Sequence, residues 1–216
     1  MRRALFEPEH DDFRESFRRF LAKEVAPHHD AWERDGLVPR ELFAAAGEHG
    51  FVAPQVPEAY GGAGVDDFRF NVVVNEEVSR AGFTGFGLGL TLHNDICLPY
   101  FLRYCTDEQK QRWLPGIASG ELVTAVAMTE PGIGSDLASM STKAIRDGER
   151  YMVDGAKTFI TNGINADSVV VAARTSDDKH GGLSIDGLSP GNSSICTRRF
   201  SGVRDGEVMH ALCCNR

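Results

Sequence analysis

The chain reads as an α+β protein, a helical N-terminal domain followed by a β domain, and two observations predict it. Up to Gly120, apolar residues recur at helical spacing, as in Phe13, Phe17, Phe20, Leu21 and Val25. From Leu122 onward the period falls to two, in short runs rich in β-branched residues. With 216 residues the chain can bury a substantial core and can hold one large or two small domains.

Pro8 suits the first turn of the opening helix, whose apolar stripe is separated by Asp, Glu, Arg and Lys. His28-His29 ends that helix on a solvated surface. Pro39 opens a second helix, carrying Leu42, Phe43 and Ala46 and stopping at Gly50, a residue suited to the left-handed position past a helix end. Pro54, Pro57 and Gly61-Gly62 make Gln55 to Gly64 a loop before a third helix, around Asp67 to Ser79. Gly82 to Tyr104 is long and mostly apolar, and reads as a buried helix. Thr106 with Gln109 three residues on forms a capping box, opening a helix that ends near Gly120. Strands are expected at Leu122 to Met128, Ser141 to Arg146, Arg150 to Val153, Lys157 to Thr161 and Ser168 to Arg174. Asp147-Gly148 and Asp154-Gly155 supply turn signals between them.

The net charge of −8 and the pI near 5.4, with no basic stripe interleaved with aromatics, speak against a nucleic-acid partner. No uninterrupted apolar span is long enough for a bilayer, so no membrane partner is expected. The start MRRALFEPEHDD turns acidic too soon for a signal or transit peptide, and a cytoplasmic protein is the expectation. The five cysteines, Cys97, Cys105, Cys196, Cys213 and Cys214, are odd in number and lack a C-x-x-C pair, so neither a metal site nor a disulfide framework is expected. Cys97 and Cys105 lie in helical sequence, where cysteine behaves as a small buried apolar group.

Two segments carry the chemistry. Thr129 to Asp136 reads TEPGIGSD at the end of the apolar run Leu122 to Met128. A strand broken by a proline and two glycines cannot continue its ladder, so its backbone turns sharply and leaves N–H groups for an electron-rich ring or a phosphate. Downstream, Lys157 to Gly163 reads KTFITNG, offering an aromatic face at Phe159 and a hydroxyl at Thr161, on opposite sides of Ile160 if the segment is a strand. A flat aromatic cofactor could use both. Glu130 and Asp136 are six apart across a Pro-Gly loop, and they read as loop-ordering acceptors, not as paired catalytic carboxylates. The glycines of GFGLGL do not make a dinucleotide loop, because position 90 is leucine and no strand precedes them.

The two segments, with their spacing and the long helical prelude, resemble the acyl-CoA dehydrogenase family of flavoproteins, from about Phe13 to about Ser184. The upstream run LHNDICLPYFLRYCTDEQKQRWLPGIASGE looks most like the family's long-chain branch. The resemblance implies a helical N-terminal domain, a β-barrel-like middle domain and a C-terminal four-helix domain, for which this chain has no room. It implies FAD as cofactor, with Val126, Met128, Thr129, Gly134, Ser135, Phe159, Ile160 and Thr161 around it. The backbone at Met128 and Thr129 would face the pyrimidine edge of the flavin, where donors stabilise negative charge near N1 and the C2 carbonyl. Thr161 would place its hydroxyl near N5, and Phe159 would pack on the ring; taken alone, without TEPGIGSD, Phe159 and Ile160 read as core strand residues and Thr161 as a strand former. Ser135 would also touch the thioester substrate along its pantetheine or phosphate portion, or serve as a turn serine bonding its own backbone. His93 either lines an acyl channel or satisfies a buried polar bond.

The implied reaction is α,β-dehydrogenation of an acyl-CoA in fatty acid β-oxidation, with electron-transfer flavoprotein as partner and a homo-tetramer as the family assembly. The family's base lies on the C-terminal helical domain, so no catalytic residue is assigned here. Open alternatives are an acyl-CoA oxidase, a dehydrogenase for another acyl-CoA class, or a non-catalytic flavin- or acyl-CoA-binding remnant. The expected organisation is a helical domain over 1–120, a partial middle β domain over 121–184 and an anomalous tail over 185–216. From Lys179 to Arg216 the chain carries five Lys or Arg against three Asp or Glu, while Met1 to Asp178 carries 18 against 28. With alternation lost as well, a frame change or truncation shortly after Ser184 is expected, leaving the tail without strands.

Overall fold

The computed structural model describes residues 5–147, 150–176, 183–188 and 209–210. The chain falls into two compact units, Met1–Val123 and Thr124–Arg216.

The first unit is helical: α1 (Pro8–Phe20), α2 (His29–Asp35), α3 (Glu41–Glu48), α4 (Arg69–Ala81), α5 (Thr84–Thr91), α6 (Leu98–Tyr104) and α7 (Asp107–Ser119). Pro8 stands in the first turn of α1, where its missing N–H costs nothing, and His10 Nδ1 accepts from the Glu7 N–H at 3.2 Å. The helix does not run on to His28-His29 unchanged. It loosens into a π-helical stretch over Leu21–Val25, and His28 then caps the separate α2. The expected buried helix over Gly82 to Tyr104 is likewise three pieces, α5, a π-helical stretch over Leu92–Cys97, and α6. Thr106 caps α7 as its sequence predicts, accepting from Gln109 N at 3.3 Å while Gln109 Oε1 accepts from Thr106 N at 2.9 Å. Gly120 ends α7 with φ +74°, and a Cβ there would meet the Phe43 carbonyl oxygen at 2.1 Å, so glycine is required twice over.

Aromatic side chains fill this unit's core: Phe51 makes edge contacts with Phe17 at 4.8 Å and Phe13 at 5.3 Å, and a tilted one with Phe20 at 5.4 Å. Helices α1 and α4 are also joined by charge. Glu77 is buried, and its carboxylate accepts from Arg14 at 2.7 Å and from Arg18 at 2.6 and 2.9 Å, with Arg80 of its own helix at 2.8 Å. Burial pushes the Glu77 carboxyl up, but these guanidinium groups outweigh it and hold it at about 2. The π-helical stretch at Leu92–Cys97 turns Asn94 inward, where Oδ1 accepts from Ala53 N at 2.8 Å and Nδ2 donates to Phe51 O at 3.0 Å. That clamp holds Ala53 at φ +46°, a conformation that an alanine does not adopt unaided.

The second unit carries β1 (Thr124–Ala127), β2 (Lys143–Asp147), β3 (Arg150–Asp154), β4 (Ala156–Lys157), β5 (Ser168–Arg174), β6 (Leu183–Leu188) and β7 (Met209–His210). Strand β5 is central. One edge pairs in parallel with β1, from Thr124↔Ser168 to Ala127↔Val171, and touches β2 at Lys143↔Arg174; the other pairs antiparallel with β6, from Val169↔Leu188 to Arg174↔Leu183. Its run SVVVAA is buried throughout, as a strand covered on both faces must be. Among the described residues the strands form one five-stranded mixed sheet and a separate β4–β7 pair, without closing into a barrel.

Two expectations are corrected here. The tail is not without strands, since Ile185–Leu188 belongs to β6, which pairs along β5, and Met209–His210 pairs with β4. The segment Lys157 to Thr161 is not a strand either: β4 stops at Lys157, Phe159 turns left-handed at φ +56°, and Thr161–Asn165 form a turn.

Candidate functional site

Strand β1 delivers the first segment. Its side chains alternate, so Ala125 and Ala127 enter the core with Ala144, Val153, Val169, Val171 and Ala173, while half-buried Val126 points to the other face. Past Ala127 the chain turns, with Glu130 N and Ile133 N each bonding the other residue's carbonyl, at 3.2 and 3.1 Å, in a tight loop. Gly134, Ser135 and Asp136 are exposed beyond it, and Asp136 accepts from Ser139 Oγ at 2.6 Å.

The second segment lies directly against the first. Thr158 N donates to Thr129 O at 3.0 Å, and Lys157 Nζ donates to Met128 O and to Glu130 Oε1, each at 3.0 Å. The Glu130 carboxylate also accepts from Ser141 N at 2.7 Å, Ser141 Oγ at 2.6 Å and Thr142 N at 2.9 Å. Burial pushes the Glu130 carboxyl up, but hydrogen bonds from Ser141 and Thr142 carry it down to about 2. Burial pulls Lys157 below its ordinary value, and Glu130 pulls it back towards the charged form. With Nζ 3.0 Å from the ionised carboxylate, the two side chains form a buried salt bridge. Glu130 is thus a loop-ordering acceptor, and its saturated, buried oxygens are not available as a base.

The structure separates the predicted residues by role. Ile160 packs its side chain against the β-unit core and gives its carbonyl to Gly163 N at 2.9 Å, so it anchors the segment. Phe159 does the opposite: its ring is 80% exposed on a left-handed backbone. A large apolar side chain held outward on a strained backbone makes Phe159 a candidate contact point. Thr161 follows at the start of the turn, and Asn162, also left-handed, donates from Nδ2 to Thr124 O at 3.1 Å, pinning that turn to β1. Lys157 was not legible as a site residue, because nothing in its spacing from Glu130 reveals that both are buried. His93 is buried and bonds Ile117 O through Nε2 at 3.1 Å; burial lowers its pKa to about 4, against the opposing effect of that bond, so it satisfies a buried polar group in neutral form. The GFGLGL glycines lie on helix α5, where Gly87 lets Val78 approach a would-be Cβ to 2.6 Å.

Three features fit a flat, electron-rich cofactor. The Met128 carbonyl is turned to Lys157, so the N–H of the same trans peptide, that of Thr129, points to the other side, and no described residue accepts from it. Neither Gly132 nor Gly134 has a left-handed φ, and a Cβ on either would meet nothing in the chain; the bare backbone leaves room for another molecule to come close. The third is the outward Phe159 ring.

Sequence models of the acyl-CoA dehydrogenase N-terminal domain and middle domain match residues 7–121 and 125–205 respectively. The chain belongs to the acyl-CoA dehydrogenase family. Family sequence therefore continues past Ser184, where the resemblance was expected to stop. The mitochondrial long-chain specific acyl-CoA dehydrogenase of Sus scrofa is 43% identical over 173 residues, 80% of this chain and 40% of that protein. An acyl-CoA dehydrogenase from Geobacillus kaustophilus superposes with TM-score 0.85 at 45% identity, over 99% of this chain and 56% of that one. A glutaryl-CoA dehydrogenase from Mycobacterium smegmatis in complex with FADH2 gives TM-score 0.78 at 29% identity, over 88% and 48%. The chain thus spans about two fifths of the length of the Sus scrofa relative. No helix among the described residues is long and apolar enough to cross a membrane.

Proposed function

We propose that this family member serves FAD-dependent α,β-dehydrogenation of acyl-CoA thioesters in fatty acid β-oxidation, and that the flavin ring sits where the two segments meet. The observation that carries the reading is the junction itself: Thr158 N bonded to Thr129 O brings the outward Thr129 N–H and the exposed Phe159 ring into one neighbourhood. The cofactor-binding set is Val126, Met128, Thr129, Gly134, Ser135, Phe159, Ile160 and Thr161, with Ile160 acting through its anchoring of the segment.

FAD, when bound, supplies the hydride acceptor for the β-hydrogen. Thr129 would donate its N–H to the pyrimidine edge, where a fixed donor favours the reduced, more negative ring. The Thr161 hydroxyl would donate near N5 of the central ring, and Phe159 would cover a face and keep water off it. Ser135, exposed beside Gly134, would bind the pantetheine or phosphate portion of the thioester. The α-proton needs a carboxylate, and neither Glu130 nor Asp136 is assigned that role. Electron-transfer flavoprotein as oxidant and a homo-tetramer as assembly belong to the same proposal, as does a long-chain substrate, supported by the relative named above.

Fluorescence titration with FAD is the test. Thr129→Pro, which deletes the backbone donor, combined with Thr161→Ala should weaken binding by about tenfold or more, the scale of two lost hydrogen bonds. Equal affinity in the double variant and the parent would show that the flavin lies elsewhere.

A further inference from the structure

The Lys157–Glu130 pair needs a reason beyond stability. A buried ion pair is a poor way to stabilise a fold, because desolvation of both charges offsets their attraction, and apolar replacements are often neutral or better. Glu130 moreover has three donors besides Lys157, from Ser141 and Thr142. What Lys157 alone supplies is a donor to the Met128 carbonyl, at 3.0 Å. An ammonium carries three donors in a compact head, and Lys157 commits one to Met128 and one to Glu130. Glu130, fixed by its other partners, thereby fixes the ammonium, and the ammonium fixes the carbonyl.

We infer that Lys157 is a positioning residue for the Thr129 donor: it holds the Met128–Thr129 peptide in one orientation, carbonyl inward and N–H outward, with Glu130 as its anchor. A peptide at the end of a broken strand has no ladder to set its plane, and rotation about the flanking dihedrals would turn the donor away. Lys157 removes that freedom. Because it precedes Thr158 and Phe159, the same contact joins the placement of the donor to that of the ring. The inference rests on the flavin reading for its purpose, but the peptide orientation stands without it.

The experiment compares the parent chain with Lys157→Met/Glu130→Gln, which removes both charges and leaves neither orphaned, and with Thr161→Ala as a control outside the device. Urea midpoints establish folding, residual dipolar couplings report the Thr129 N–H direction in the free protein, and fluorescence reports FAD affinity. We expect the double variant to fold with a midpoint near the parent's and to change the Thr129 coupling while leaving those of Val169–Ala173 in place. Its FAD affinity should fall on the order of tenfold, the scale of one misdirected donor. Thr161→Ala should weaken FAD without moving the Thr129 coupling. A folded double variant with the parent's Thr129 coupling overturns the inference whatever the affinity. Should the double variant fail to fold, Lys157→Leu/Glu130→Gln, likewise free of both charges, is measured by the same coupling, and a parent-like value there likewise overturns the inference. A changed coupling with unchanged FAD affinity would support the positioning role and sink the flavin reading instead.

Discussion

Lys157 Nζ lies 3.0 Å from Glu130 Oε1, with the two side chains only 2% and 3% exposed. The contact joins two segments 27 residues apart in sequence and makes the broken end of β1 and the turn after β4 one structure. In a low-dielectric setting each charge depends on the other, so removing one partner costs more than removing both.

Lys157→Met should therefore destabilise the β unit by about 3 kcal/mol, the lower end for breaking a buried pair, because Glu130 keeps its Ser141 and Thr142 donors. Adding Glu130→Gln should recover part of that loss. Urea unfolding of the two variants checks it; additive losses would show that the charges are not coupled.

Stability should also fall with pH on account of His93. Its folded pKa, about 4, lies below the ordinary 6.5 because burial disfavours the imidazolium. Between those values the unfolded chain binds a proton that the folded chain refuses. The stability is present above pH 6.5 and is lost as pH falls towards 4, by about 3 kcal/mol in all. His93→Gln, able to keep a donor towards Ile117 O, should be less stable at pH 7.5 but lose less between pH 7.5 and 4.5. Parallel losses in parent and variant would assign the acid sensitivity to other groups.

Much of the fold was legible because the signals were local. Pro8, the Thr106–Gln109 capping box and Gly120 each act within a few residues, and β5 shows itself as an unbroken apolar run. The π-helical stretches were not legible, since an extra residue per turn leaves no mark in a 3.6-residue period. Lys157 to Thr161 looked like a strand by composition, yet the Lys157 contacts and the left-handed Phe159 override β propensity. At the site, TEPGIGSD and KTFITNG gave the segments, whereas their junction depends on one lysine reaching a glutamate 27 residues away.

Gly134 offers a separate test of the site. Open space surrounds its would-be Cβ, so Gly134→Ala should leave the urea stability within about 0.5 kcal/mol of the parent, as surface changes do. If a cofactor closes on this bare backbone, the added methyl group must weaken FAD binding. Unchanged affinity would mean that the loop keeps its distance from the ligand.

Phe159 sets stability against function. An exposed phenylalanine at φ +56° loses the solvent gain of burying its ring and strains its backbone, a cost of about 1–2 kcal/mol that glycine would not incur. Glycine adds back about 0.5–1 kcal/mol of unfolded-chain entropy, so Phe159→Gly should be neutral or stabilise the free chain by up to about 1 kcal/mol. Phe159→Ala keeps the strain and discards the ring, and should not stabilise. Both should bind FAD more weakly than the parent, because the ring proposed to pack on the flavin is gone from each. Urea midpoints and FAD titrations on the same three proteins decide it. A glycine variant less stable than the parent would mean that the ring already has a partner in the fold, and the exposed aromatic would no longer mark a cofactor surface.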